Sequence, residues 1–100
     1  MKKVFISVGM RGREEQEVVS DILRANTKII DMFGEYVEII DNWDCRGPVN
    51  AGRLYYLGEA IKILGDCDIC YFVKGWQNHK GCVAEYKVCK LYGIKIIEEA

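Results

Sequence analysis

The sequence predicts an α/β fold of three layers, in which a four-stranded parallel sheet lies between helices. Apolar runs rich in Val, Ile and Phe alternate with amphipathic segments, and no short hairpin turn joins two of the runs. Strands linked in this way pair in parallel through right-handed crossovers, so we expect the flavodoxin-like or Rossmann-like strand order 2-1-3-4. One hundred residues suffice for one such core, which predicts a single domain over residues 1–100.

The first half of the chain predicts two strands and one helix. Residues 3–8 form a continuous apolar run, as in a strand buried on both faces, and residues 36–41 form a second strand. Between Glu14 and a stop at Gly34, apolar residues recur at spacings of three and four. They predict one buried helical stripe, made of Val18, Val19, Ile22, Leu23, Asn26, Ile29, Ile30 and Phe33.

The second half predicts two more helices and two more strands. A loop over residues 42–52 precedes a helix that ends near Gly65 and is marked by Leu54, Leu57, Ile61 and Leu64. A third strand follows over residues 68–73, and then a loop over residues 75–81. The third helix runs from about Lys80 to Tyr92, and a short strand over residues 94–97 ends the pattern.

Composition excludes several classes of function. The 14 basic and 15 acidic side chains give a net charge of −1, which disfavours binding to a nucleic acid. No apolar run approaches the roughly 20 residues of a membrane helix, so we expect no membrane partner. The N-terminal segment is β-branched and resembles a strand more than a targeting segment. An odd number of cysteines, five, predicts a reduced, cytoplasmic location.

Cys67 and Cys70 form the one CxxC pair of the sequence. They stand at the opening of the third strand, where alternation would send the two thiols to opposite faces. With one histidine and no second CxxC, the sequence offers no complete zinc site. We therefore expect buried, apolar thiols that bind no metal and form no structural disulfide.

The predicted topology places a ligand site between the first and third strands, at their carboxyl ends. The loops there cover residues 9–13 and 74–81. The first loop places two glycines, Arg11 and Arg13 at a helix start, which suits a phosphate or carboxylate. An ordinary turn with solvated arginines is the alternative. His79, in the second loop, either contacts a ligand or is simply exposed.

Glu85 is the most informative single residue. Its place in the third helix is in register with Cys82, Cys89 and Tyr92. A carboxylate on such a stripe faces inward, and the helix N-terminus is expected to keep it ionised. An inward, ionised glutamate can act as a nucleophile at a sugar anomeric carbon. The alternative is that Glu85 caps backbone N–H groups or pairs with Lys80 or Lys87.

Four aromatic residues flank the proposed cleft: Trp43, Tyr55, Tyr56 and Trp76. Their rings could stack on a base or serve only as packing in the wall. The sequence leaves the two interpretations open.

A family resemblance connects these segments. The third strand is followed by Gly75-Trp76, then by Gly81 and Glu85, and then by residues 92–94 (Tyr-Gly-Ile). This arrangement resembles the nucleoside 2-deoxyribosyltransferase-like superfamily, above all its small DUF4406-type branch. Residues 4–7 (Val-Phe-Ile-Ser) with 10–12 (Met-Arg-Gly) are similar to the first loop of the deoxynucleoside-monophosphate N-glycosidases.

The resemblance implies that Glu85 attacks C1′ of a deoxyribonucleoside or its monophosphate, and that water or a second base resolves the glycosyl-enzyme. It implies no cofactor and a homo-oligomer in which a neighbour supplies part of the site. The implied substrate-binding residues are Phe5, Gly9, Met10, Arg11, Gly12, Trp76, His79 and Gly81.

Three departures from the family pattern bear on activity. Phe5 stands where a tyrosine would help to position the nucleophile, and Gly9 and His79 stand where serines would hold a phosphate. Ala60 stands in place of the acid-base aspartate, which leaves the adjacent Glu59 as the candidate second catalytic residue, with Asp41 or Asp44 as substitutes. An enzyme, a binding module without turnover and a plain interaction domain therefore all remain open.

Overall fold

Four parallel strands and three helices make up the computed structural model, which describes residues 1–41 and 52–100. The elements are β1 (Lys2–Ser7), α1 (Glu15–Phe33), β2 (Val37–Asp41), α2 (Arg53–Leu64), β3 (Ile69–Phe72), α3 (Lys80–Tyr92) and β4 (Lys95–Glu98). A 3-10 turn at Trp76–Asn78 precedes α3. The predicted loop over residues 42–52 lies outside the described residues except for Gly52, and so do Trp43 and Asp44.

The sheet has the strand order β2-β1-β3-β4, and all three neighbouring pairs are parallel. Val4 of β1 lies opposite Ile39 of β2 and opposite Ile69 of β3, so β1 is an inner strand. The α/β class, the three layers and the strand order predicted from the sequence are confirmed. The carboxyl ends of β1 and β3, where the chain reverses its winding direction, lie side by side.

Alternation along β1 divides the interior into two apolar clusters. One face packs against α1 through Val4, Ile6 and Val8, while the other face turns Phe5 and Ser7 towards α2 and α3. Residues 4–8 are all buried, with at most 3% of each exposed to solvent. This explains why the stretch from Val4 to Ile6 is apolar on both faces of the strand rather than alternating.

The buried stripe of α1 is narrower than the sequence predicted. Val18, Ile22, Ala25 and Ile29 are buried, whereas Val19, Leu23 and Ile30 are 38%, 62% and 41% exposed. A helix lying on a sheet is covered along one row of side chains, and the exposed three lie in the row beside it. The sequence predicted one buried stripe from both rows because the apolar residues of the buried row and of the exposed row recur at the same spacing.

The prediction that Cys67 and Cys70 face opposite sides is wrong. β3 begins at Ile69, so strand alternation does not extend back to Cys67, which lies in the turn after α2. The Cys67 thiol donates a hydrogen bond to the carbonyl of Ile63 at 3.4 Å, and both cysteines belong to the α2/α3 cluster. Their predicted burial is confirmed.

Among the helices of residues 1–41 and 52–100, none has the length and apolar character needed to cross a bilayer.

Candidate active site

A buried hydrogen bond joins Ser7 to Glu85. Alternation along β1 turns Ser7, the last residue of the strand, towards α3, and Glu85 lies in the second turn of that helix. The Ser7 hydroxyl donates to Oε1 of Glu85 at 2.6 Å, and the two residues are 0% and 2% exposed. This contact at the carboxyl end of the central strand is the core of the candidate site.

The register predicted for α3 holds for three of its four members. Cys82, Glu85 and Cys89 are buried on one face of the helix, as predicted. Tyr92 is 79% exposed, contrary to the prediction. It is the last residue of α3, and the left-handed Gly93 after it ends the helix before the chain enters β4.

Burial raises the pKa of Glu85 to about 7, and the hydrogen bond from Ser7 acts against that rise. The sequence predicted that the helix N-terminus partly offsets the cost of burial and keeps this carboxylate ionised, but desolvation outweighs that favourable position. At pH 7 about half of the molecules then carry the proton on this carboxyl. Lys80 and Lys87 are both exposed, and the ion pair with either lysine that was the alternative interpretation of Glu85 is not formed.

Thiols line the site beside Glu85. Burial raises the pKa of Cys82 to about 11, with the Ser7 hydroxyl in hydrogen-bonding contact with this thiol. A hydrogen bond with Cys89 together with burial raises the pKa of Cys70 far above its usual range. Cys70 and Cys82 are therefore neutral and poorly nucleophilic at neutral pH. The hydrogen bond with Cys70 lowers the pKa of Cys89. In the described residues, no group of three His, Cys, Asp or Glu side chains is placed to hold a metal ion.

The two loops predicted to meet at the carboxyl ends of β1 and β3 do so. His79, the residue before α3, lays its ring against the backbone of Gly9. A Cβ added to Gly9 would overlap Cγ, Cδ2 and Nδ1 of that ring, so this contact requires glycine. Gly81 lies one residue into α3 and is exposed.

The two arginines of the first loop have different roles. Arg13 donates to the carbonyl of Gly9 at 2.9 Å and forms an ion pair with Asp21 at 2.6 Å, so its guanidinium braces the loop. Arg11 is exposed, and it has no ion-pair or hydrogen-bond partner within residues 1–41 and 52–100. Arg11 alone therefore offers a free guanidinium to a ligand.

The other residues of the first loop shape its backbone. Met10 is half-buried against the α1 cluster, and Gly12 adopts a left-handed conformation with φ of 74° at the surface. Side chains other than glycine rarely adopt that conformation, so Gly12 sets the turn that presents Arg11.

Phe5 and Trp76 are packing residues in this structure. Phe5 is 0% exposed in the α2/α3 cluster. Trp76 is buried as well, stacking on Tyr86 with ring centroids 4.5 Å apart and lying 5.2 Å from Phe72. For Trp76 the structure favours the wall-packing interpretation. Tyr55 is 47% exposed on α2.

The structure brings no second carboxylate to Glu85 within the residues it describes. Glu59 pairs with Lys62 on the surface of α2, at 3.1 Å. Asp41 lies opposite Ile6 in the sheet register, and Ile6 faces α1, on the far side of β1 from Ser7. Asp44 lies outside the described residues.

Two features of this edge were missed by the sequence analysis. The first is Ser7, which strand alternation from Phe5 could have placed on the Glu85 face. The second is Glu99, whose side chain is 1% exposed and accepts hydrogen bonds from Arg24 at 2.6 Å and from the Tyr71 hydroxyl at 2.7 Å. These partners hold the pKa of Glu99 at about 2 despite its burial. Glu99 follows the last strand, where no periodic pattern remains to predict its direction.

Comparison with known sequences gives one positive result. No curated protein matches the sequence. A family model described as a domain of unknown function, DUF4406, matches residues 2–98 and so covers every strand and helix. The chain belongs to the DUF4406 family.

Proposed function

We propose that this protein cleaves the N-glycosidic bond of a deoxyribonucleoside or its 5′-monophosphate, by hydrolysis or by transfer of the deoxyribosyl group. The observation that carries the proposal is the buried Glu85 carboxyl, which Ser7 holds at 2.6 Å between the two loops. The substrate class rests on the resemblance to nucleoside 2-deoxyribosyltransferase-like proteins. The role of Glu85 is supported by its burial, its single hydroxyl partner and its place at the strand ends.

The proposed reaction has two displacements at C1′. Ser7 fixes Oε1, so Oε2 of the ionised Glu85 forms the bond to C1′ while the C1′–N bond breaks and its electron pair passes to the base. A water oxygen or a second base then attacks C1′, and the ester electron pair returns to the carboxylate. A pKa of about 7 gives Glu85 a substantial ionised fraction near neutral pH and a weakly solvated, reactive oxygen.

The loops around Glu85 would provide the substrate-binding surface. Arg11 has a free guanidinium for the 5′ end of the substrate, while Gly9 and Gly12 set the backbone that presents it. Because Glu85 is 2% exposed, the substrate must separate the Gly9 and His79 loops to reach it. Binding and opening are therefore coupled in this proposal.

Incubation with a panel of deoxynucleosides and their monophosphates, followed by chromatography for free base, tests the proposal. We expect base release by the unmodified protein and none by Glu85→Gln. Glu98→Gln, an exposed glutamate on β4, is the matched control and should retain the native rate. Glu59→Gln tests the second carboxylate suggested by the sequence. No release from any substrate, or native release by Glu85→Gln, would contradict the proposal.

One observation favours a second candidate, a nucleotide-binding module without turnover. In the described residues Glu85 has the Ser7 hydroxyl as its partner and no carboxylate nearby to assist the leaving group. Calorimetric titration separates the two functions. A binding module would show saturable heat with a nucleotide that Glu85→Gln changes only modestly, and no free base would appear.

Two further properties belong to the proposal. We infer a homo-oligomer, because Val19, Leu23 and Ile30 leave an apolar row exposed along α1 and Tyr55 adds exposed aromatic area on α2. A cytoplasmic location follows from the buried free thiols Cys67, Cys70, Cys82 and Cys89, which suit a reducing compartment.

A further inference from the structure

The leaving base needs a proton, and Glu85 cannot supply it while it attacks C1′ as a carboxylate. We propose that His79 is the catalytic acid that protonates the leaving base. This inference rests on the proposed glycosidic cleavage and adds to it a residue that acts on the leaving group rather than on the sugar.

The first support is the way His79 is held. Its ring lies against Gly9, with Cδ2, Cγ and Nδ1 nearest to the position that a Cβ of Gly9 would take. Within residues 1–41 and 52–100, neither ring nitrogen has a hydrogen-bond partner. A half-buried imidazole that packs against the backbone, and whose nitrogens lack a partner in this part of the chain, can exchange a proton with a ligand.

The second support is the position of His79 relative to Glu85. His79 precedes the first residue of α3, and Glu85 lies six residues later on the same helix. The five helical steps from Lys80 to Glu85 rise about 8 Å along the helix axis, and helical side chains tilt back towards the N-terminus, which is the end next to His79. Ser7, which holds Glu85, and Gly9, which seats His79, are two residues apart on one chain segment. This segment therefore brings both groups to the same end of the sheet, where one substrate can contact them.

The proton and electron balance is complete with water as the co-reactant. As Oε2 of Glu85 bonds to C1′, the C1′–N electron pair passes to the base, and the imidazolium of His79 gives its proton to that base. In the second step a water oxygen bonds to C1′, the ester bond breaks towards Glu85, and the proton of the water returns to the imidazole. His79 and Glu85 are thus both restored.

Comparison of two leaving groups tests this role. 2′-Deoxyguanosine needs a proton on its base, whereas 7-methyl-2′-deoxyguanosine already carries a positive charge and leaves as a neutral base. In His79→Gln we expect release of guanine to fall about 100-fold or more, and release of 7-methylguanine to stay within a few-fold of native. Asn78→Ala, an exposed neighbour in the same turn, is the control and should leave both rates unchanged.

Gly9→Ala provides a second variant with the imidazole chemically intact. The added methyl group would displace the His79 ring, so the same selective loss on the unmethylated substrate is expected. Two results would overturn the assignment. One is an equal loss of base-release rate on both substrates in a His79→Gln protein that melts at the native temperature. The other is no loss of rate on either substrate.

The same base-release assays distinguish a failure of the His79 assignment from a failure of the proposed function. If Glu85→Gln is inactive on both substrates while His79→Gln keeps native rates, glycosidic cleavage stands and the His79 assignment fails. If the unmodified protein releases neither base, both fail together.

Discussion

Replacing Glu85 by glutamine changes the charge of the site while keeping the shape of the side chain. The Ser7 hydroxyl can still donate to the Oε1 atom of the amide, so the hydrogen bond at 2.6 Å is retained. What the substitution removes is the titration of a buried acid. The pH dependence of folding stability therefore isolates the electrostatic cost of Glu85 from its packing.

The sign and size of the effect come from the pKa of Glu85. It is about 7 in the folded protein, against an ordinary value of 4.5. Below pH 4.5 the carboxyl is protonated in both the folded and the unfolded protein, so its raised pKa does not lower the free energy of unfolding. Between 4.5 and 7 the unfolded chain ionises first, so the stability of the native protein falls as the pH rises. The loss amounts to about 3 kcal/mol once the pH exceeds the folded pKa. The side chains of Ser7, Cys70 and Cys82 beside Glu85 are neutral in this range, whereas the hydrogen bond with Cys70 lowers the pKa of Cys89.

Urea unfolding followed by circular dichroism at pH 5 and pH 8 measures this loss. We expect the unmodified protein to lose about 2 to 3 kcal/mol more than Glu85→Gln between the two pH values. Comparing the two pH-dependent changes cancels the contribution of every other titrating group. Glu98→Gln, exposed on β4, should follow the unmodified protein. If Glu85→Gln and the unmodified protein lose the same free energy of unfolding between pH 5 and pH 8, the raised pKa of Glu85 is refuted.

Three further outcomes are expected. Ser7→Ala removes the hydrogen bond that opposes the raised pKa of Glu85. The acid limb of the pH profile of kcat/KM should therefore move upward by about one to two pH units. An unchanged acid limb would show that Ser7 does not act on Glu85. Glu99→Gln should lower the free energy of unfolding by about 3 kcal/mol at pH 7 and by little at pH 2. The reason is that the stability contributed by the low pKa of Glu99 is lost as the pH falls from 4.5 to about 2. Equal losses at pH 7 and pH 2 would show that the stability does not come from this low pKa. Analytical ultracentrifugation at micromolar concentration should show an assembly larger than the 11.5 kDa monomer, which would be excluded by a strict monomer.

Much of the fold could be predicted because its signals are local and repeated. The apolar run of β1 and the strand–helix alternation lead to a parallel sheet, and the rule of right-handed crossovers then leaves few strand orders. The inward direction of Glu85 was predictable for the same reason, since Cys82 and Cys89 mark the buried face of α3. The meeting of Gly9 and His79 follows from the strand order alone.

The remaining features depend on contacts between distant segments. Glu99 lies beyond the last strand, and only the folded chain brings it to Arg24 and Tyr71, 75 and 28 residues away. The ionisation of Glu85 was predicted incorrectly, because the helix position is visible in the sequence whereas the extent of desolvation is not. A similar limit applies to α1, where the spacing of Leu23 cannot show which apolar row the sheet covers.

The configuration of the product formed in aqueous methanol tests the central claim, that Glu85 forms a covalent bond to C1′. Two displacements retain the configuration at C1′, whereas a single displacement by solvent inverts it. The unmodified protein is incubated with a cleavable deoxynucleoside in the presence of methanol, and the methyl deoxyriboside is identified by NMR. The account predicts the β-glycoside, the configuration of the substrate. The α-glycoside as the enzymatic product, or no product with any deoxynucleoside, would contradict it.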